Sequence, residues 1–191
     1  MKLVLASHNK HKAEEIKNIL GEGFEIITQD EAGFSDEVVE DGVTFEENAI
    51  KKAETVMKAT GLPTIADDSG LCVKALGGAP GIYTARYAGE NATDSDNITK
   101  LLGVLKNVPE DKRDAEFVCT IAYARPDKET VTFTGKCEGR ILFEIAGENG
   151  FGYDPVFYSP KFGKSLAQVT AEEKNSISHR SRALALFKNS L

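Results

Sequence analysis

Lys2-Leu3-Val4-Leu5-Ala6, then Ser7-His8-Asn9-Lys10-His11-Lys12, then Ala13, Ile16, Ile19 and Leu20 form the stretch that decides the fold. Its first part reads as a strand and its second as a polar turn. The third sets apolar residues at helical spacing, with Gly21 as the stop. Strand–helix units of this kind build α/β sheets. Further along, Phe117, Cys119, Ile121 and Tyr123 alternate, Pro126-Asp127 turns, and Val131 to Phe133 alternates again, which reads as a long antiparallel hairpin. A chain holding both patterns is expected to be an α/β protein with a mixed, elongated sheet flanked by helices. Its 191 residues suit one domain, 1–191, with two lobes around a cleft.

Between these stretches, Phe24 to Thr28 reads as a second strand, and Thr44-Phe45-Glu46-Glu47 is a capping-box signature that starts a helix stopped by Gly61 and Pro63. A short strand, Thr64 to Ala66, then runs into Asp67-Asp68-Ser69-Gly70. A helix follows Asp94 or Ser95, a second capping box stands at Thr170-Ala171-Glu172-Glu173, and Ala183, Leu184 and Phe187 mark the last amphipathic helix.

Composition narrows the function classes. With 23 basic against 30 acidic residues the net charge is -7, which argues against a protein that coats nucleic acid, since such affinity rests on neutralising many phosphates. A small phosphorylated ligand needs only a local cluster of positive charge and is compatible with that balance. Cys72, Cys119 and Cys137 lack the paired spacing of zinc or redox sites and read as reduced thiols, which points to the cytoplasm. No apolar run approaches membrane-spanning length, so no membrane partner is expected.

Four stretches carry residue types suited to chemistry, each with an ordinary structural alternative. Residues Ser7 to Lys12 lie where helix amides and the positive dipole end favour an anion; the alternative is a polar strand–helix turn. Asp67-Asp68 offers two carboxylates whose side chains diverge on neighbouring strand positions, so that they do different jobs. Mg²⁺ suits such oxygen ligands; the alternative is a turn in which they bond backbone amides. In Gly150-Phe151-Gly152-Tyr153-Asp154-Pro155, small residues admit a ligand, a ring can stack and a carboxylate can accept, against a tight turn with a buried Phe. Lys174 with Ser178-His179-Arg180 supplies donors for a carbonyl oxygen or phosphate, against plain surface charge. The acidic Glu40-Asp41-Gly42 could add a carboxylate or be a solvated loop.

In their order along the chain these segments resemble the inosine triphosphate pyrophosphatase family, which hydrolyses ITP, dITP and XTP. The resemblance rests on Ser7-His8-Asn9 with Lys12, Thr44-Phe45 with Glu47-Asn48-Ala49, and Ala66-Asp67-Asp68-Ser69-Gly70. It continues in Gly77-Gly78-Ala79-Pro80-Gly81, Phe151-Gly152-Tyr153-Asp154-Pro155 and Ser178-His179-Arg180. It departs at His8, where the family often has Gly. The resemblance implies a nucleotide-binding cleft in which Ser7, His8, Asn9, Lys10, His11 and Lys12 hold the triphosphate. Asp68 would be catalytic base and Mg²⁺ ligand, with Glu40 or a neighbour as the second ligand, and Ser69 would touch the substrate. Phe151, Gly152, Tyr153, Asp154, Lys174, His179 and Arg180 would form the base pocket. A homodimer is implied too. Two rivals keep part of this chemistry: a pyrophosphatase for pyrimidine or methylated nucleotides, and a nucleotide sensor that binds without needing Asp68.

Overall fold

The opening strand, β1 (Lys2–Leu5), is apolar on both faces, and in the computed structural model, which describes residues 1–191, both faces are covered. Leu3 and Leu5 pack with Ala13, Ile16 and Leu20 of helix α1 (Lys10–Leu20) and with Ala183, Leu184 and Phe187 of helix α5 (His179–Asn189). Val4 and Ala6 pack the other way, on Ala49, Ala53 and Val56 of helix α2 (Phe45–Thr60). Alternation with period two on a strand buried from both sides produces this split.

The remaining elements are β2 (Glu25–Thr28), β3 (Thr64–Val73), α3 (Asp94–Val104), β4 (Asp114–Arg125), β5 (Lys128–Ile141), β6 (Phe157–Ser159), β7 (Lys164–Ser165) and α4 (Ala171–Asn175). The strands form one sheet in the order β2-β1-β3-β4-β5-β6-β7. Its first members are parallel, β1 with β2 and β1 with β3, whereas β5 with β6 and β6 with β7 are antiparallel. The sheet is therefore mixed, with helices flanking it, as the two sequence patterns require.

Two compact units make up the chain, one of residues 1–68, 119–135 and 179–191 and one of residues 69–118 and 136–178. The first contains β1, β2, α1, α2 and α5. Phe187 anchors α5 there, with ring centroids 5.0 Å from Tyr123 and 5.9 Å from Phe133. Burying such a ring contributes about 1.5–3 kcal/mol. Gly135 lets α5 lie directly on the backbone of β5, since a Cβ there would stand 2.2 Å from the carbonyl oxygen of His179. The second unit is centred on Leu71, Leu101, Leu105, Phe117, Val156 and Phe157.

Three local expectations change. Strand β3 does not stop at Ala66 but continues to Val73, so the acidic pair lies inside a strand rather than at its end. The cap of α3 is Thr93, in a full capping box with Asp96, not Asp94 or Ser95. At α2, Thr44 accepts from the Glu47 amide, but the Glu47 carboxylate takes the Val43 amide instead of closing the box on Thr44.

Candidate functional site

The parity of β3 decides where its two aspartates point. Ile65 packs with α1 and α5, and Ala66 with α2, so two residues on Asp67 faces the first pair of helices and Asp68 faces the second. Asp67 accepts from Lys12 Nζ at 2.6 Å, Arg180 Nε at 3.0 Å and Cys119 Sγ at 2.9 Å. Burial alone would raise its proton affinity, but Arg180 and Lys12 reverse this and hold the carboxyl well below the ordinary range.

Asp68 belongs to a different set. Lys52 Nζ lies 3.2 Å from Asp68 Oδ1, 3.2 Å from Glu40 Oε2 and 2.9 Å from the Asp67 carbonyl oxygen. Asn48 Nδ2 donates to Asp68 Oδ2 at 3.3 Å while Asn48 Oδ1 accepts from the Gly42 amide at 2.8 Å, which ties the acidic loop to the strand. Burial pushes the Asp68 carboxyl up to about 6; Lys52 opposes that and Glu40 adds to it. Two carboxylates share one ammonium, so the group is short of positive charge. Its donors are hard oxygens, and a cation such as Mg²⁺, which takes one or two carboxylates plus water and phosphate, fits Asp68 and Glu40.

The turn before α1 is organised by its own side chains. Asn9 caps the helix by accepting from the Lys12 amide at 3.0 Å, and Ser7 Oγ accepts from the Asn9 amide at 3.1 Å. His8 Nε2 takes the amide proton of Gln29 at 2.9 Å, which assigns its own proton to Nδ1, 3.4 Å from Asp30. Lys10 and His11 are exposed at the helix start, where the dipole favours an anion.

In the second unit, the Gly150–Asp154 turn closes on its own carboxylate. Asp154 Oδ2 accepts from the Phe151 amide at 3.0 Å and from Lys174 Nζ at 2.7 Å, and that ammonium lies 4.5 Å from the Phe151 ring centroid. Gly150, at φ 77°, admits this approach, since a Cβ would stand 2.2 Å from Asp154 Oδ2. The Gly152 amide donates to Asp94 at 2.7 Å, and the Tyr153 hydroxyl donates to the Thr84 carbonyl at 2.8 Å. A half-buried ring beside a buried lysine and carboxylate offers a stacking face with a donor and an acceptor.

Residues 3–190 match the model of the Ham1 family. The chain belongs to that family. Among its Ham1 relatives, a protein of Yersinia pseudotuberculosis named dITP/XTP pyrophosphatase is 50% identical over 193 residues, covering 100% of this chain and 98% of the relative. One of the same name from Escherichia coli O157:H7 is 51% identical with the same coverage. The Ham1 protein of Staphylococcus aureus superposes with a TM-score of 0.90 at 48% identity, covering 99% of this chain and 97% of that one. A Mycobacterium abscessus structure described as nucleoside-triphosphatase / dITP/XTP pyrophosphatase gives 0.80 at 41% identity, covering 98% of each chain.

Within this Ham1 chain the expected residues fall into separate groups. The first unit brings Lys12 to Asp67, and Glu40 to Asp68 across Lys52; the second brings Phe151 and Asp154 to Lys174. His179 and Arg180 open α5 in the first unit and are buried, and Arg180 spans Asp67 and Glu15 rather than presenting its guanidinium outward. Ser69 lies within β3, directly after Asp68, and is half-buried. Sequence reasoning missed Lys52 and Asp94. Lys52 had a signal: with Asn48 it places polar groups on the buried face of α2, four residues apart, among Ala49, Ala53 and Val56.

Proposed function

We propose that this chain hydrolyses dITP and XTP, and with them ITP, to the nucleoside monophosphate and pyrophosphate, so that deaminated purines stay out of nucleic acid. Membership of the Ham1 family and relatives of about half identity over full length, themselves named dITP/XTP pyrophosphatases, support the substrate class. The observation that carries the chemistry is the pair of carboxylates, Asp68 and Glu40, gathered on the single ammonium of Lys52.

In this reading a water attacks the α-phosphorus, the bond to the oxygen bridging α and β breaks, and pyrophosphate leaves in line. Asp68 orients that water and takes its proton, a role suited to a carboxylate whose proton affinity burial has raised to about 6. Asp68 and Glu40 would hold Mg²⁺, which when bound supplies positive charge against the charge growing on the phosphate oxygens. Lys10 and Lys12, with the start of α1, take the triphosphate, and Ser69 meets the substrate beside Asp68. Ser7 and Asn9 shape that turn.

Base selection follows from donors. Hypoxanthine and xanthine present a 6-oxo acceptor, which Lys174 can satisfy, and the Phe151 ring gives the stacking face; adenine presents an amino donor, which meets the Lys174 ammonium donor to donor. The reading extends to a homodimer in the cytoplasm, supported by the family resemblance and by three free cysteines, and light scattering reads the oligomer. The deciding experiment measures pyrophosphate release from XTP, dITP, ITP, GTP, ATP and dTTP, with Mg²⁺ and with EDTA. Rapid release from the first three with Mg²⁺ alone is expected. Binding without release would leave a sensor, and preference for dTTP would leave a pyrimidine enzyme.

A further inference from the structure

Asp67 has no part in the reaction just described, yet it is the more deeply held of the two aspartates, its side chain 0% exposed against 10% for Asp68. Donors converge on it from three elements: Lys12 of α1 at 2.6 Å, Arg180 of α5 at 3.0 and 3.4 Å, and the Cys119 thiol of β4 at 2.9 Å. Arg180 continues to Glu15, one turn beyond Lys12 on α1. The network is sealed at Arg180, 1% exposed, and opens toward solvent at Lys12, 18% exposed. A free lysine samples many rotamers, and docking its ammonium on a rigid buried carboxylate removes that disorder before a ligand arrives.

We propose that Asp67, braced by Arg180 and Cys119, is a positioning residue that fixes the Lys12 ammonium for the phosphate chain of the substrate. This rests on the pyrophosphatase reading.

A double-mutant cycle on the full chain tests it, using Asp67→Asn, Lys12→Ala and the two combined. The readouts are kcat and KM for pyrophosphate release from XTP, and calorimetric binding of inorganic tripolyphosphate. Asp67→Asn is expected to lower kcat/KM about tenfold or more alone, but less than about twofold when Lys12 is already Ala, because the two act as one unit. An equal loss in both backgrounds marks a merely structural role and overturns the proposal. Removing one member of a buried ion pair strands the other. Should Asp67→Asn fail to fold, Asp67→Asn with Arg180→Gln and Glu15→Gln removes the charges of that network together and takes its place in the cycle. If the unaltered chain releases no pyrophosphate from XTP, the pyrophosphatase reading falls by itself. Tripolyphosphate affinity then still decides the positioning role, by a loss that vanishes in the Lys12→Ala background or one that persists.

Discussion

Lys52 and Lys174 are both buried lysines docked on carboxylates, and the contrast between them separates the chemistry of the two units. Lys52 serves Asp68 and Glu40 together, each at 3.2 Å, so one positive charge faces two negative ones. Lys174 and Asp154, at 2.7 Å, make a pair with no net charge of its own, beside the ring of Phe151. An excess of negative charge around a buried carboxylate has to be met by a proton or a cation, and burial with Glu40 nearby drives Asp68 up to about 6. A neutral pair under an aromatic face has no such demand. It suits recognition, in which a correct base offers the lysine an acceptor and a wrong one sets donor against donor.

The largest effect expected from this division is at Asp68. Asp68→Asn keeps the shape and removes both the proposed base and a proposed metal oxygen, and should lower kcat for XTP on the order of a thousandfold while leaving KM within a few-fold. Steady-state assays at saturating Mg²⁺ check it, and near-normal turnover would sink the assignment of Asp68. Lys174→Met should do something different in kind. It is expected to cost about 10–100-fold in kcat/KM for XTP and to narrow the preference for XTP over ATP. A loss in kcat with the preference intact would break the division between the two lysines.

Much of this was legible in the sequence, for reasons that are local. Asp67 and Asp68 diverge because strand side chains alternate, and Asn9, Thr44 and Thr170 sit where short polar residues satisfy helix amides. The length of β3 was not legible. Aspartates are poor strand formers, and Asp67 through Ser69 stay in the strand because cations from three helices hold the acidic side chains there. Nor was Asp94: it reads as a helix cap, but its carboxylate holds the Gly152 amide, a pairing across 58 residues that no local pattern records. The position of Arg180 against Asp67 likewise joins residues 113 apart.

Gly150 and Asp154 give a smaller test. Gly150→Ala puts a Cβ where Asp154 Oδ2 now lies and places a side chain at φ 77°, so the turn must open. A loss of about 1–3 kcal/mol in stability is expected, with a raised KM for XTP and an unchanged kcat. Thermal unfolding and kinetics measure both, and a fallen kcat would show that this turn is not confined to binding.

The smallest effects compare the two caps. Thr44 caps α2, which runs for 16 residues and buries Ala49, Ala53 and Val56, whereas Thr170 caps α4, which has five residues and carries Lys174. Replacing either threonine by Ala should cost about 1 kcal/mol, the usual value of a lost N-cap. On α2 that cost frays the first turn, and Asn48 and Lys52 remain seated by the packing of the helix, so kcat and KM should not move. On α4 the first turn is nearly the whole helix, and Lys174 has no long packed face to keep it in place. Thr170→Ala should therefore raise KM for XTP about 2–5-fold, the kinetic equivalent of about 0.5–1 kcal/mol in binding. Equal kinetics in the two variants would mean that the Asp154 contact, not the helix, fixes Lys174.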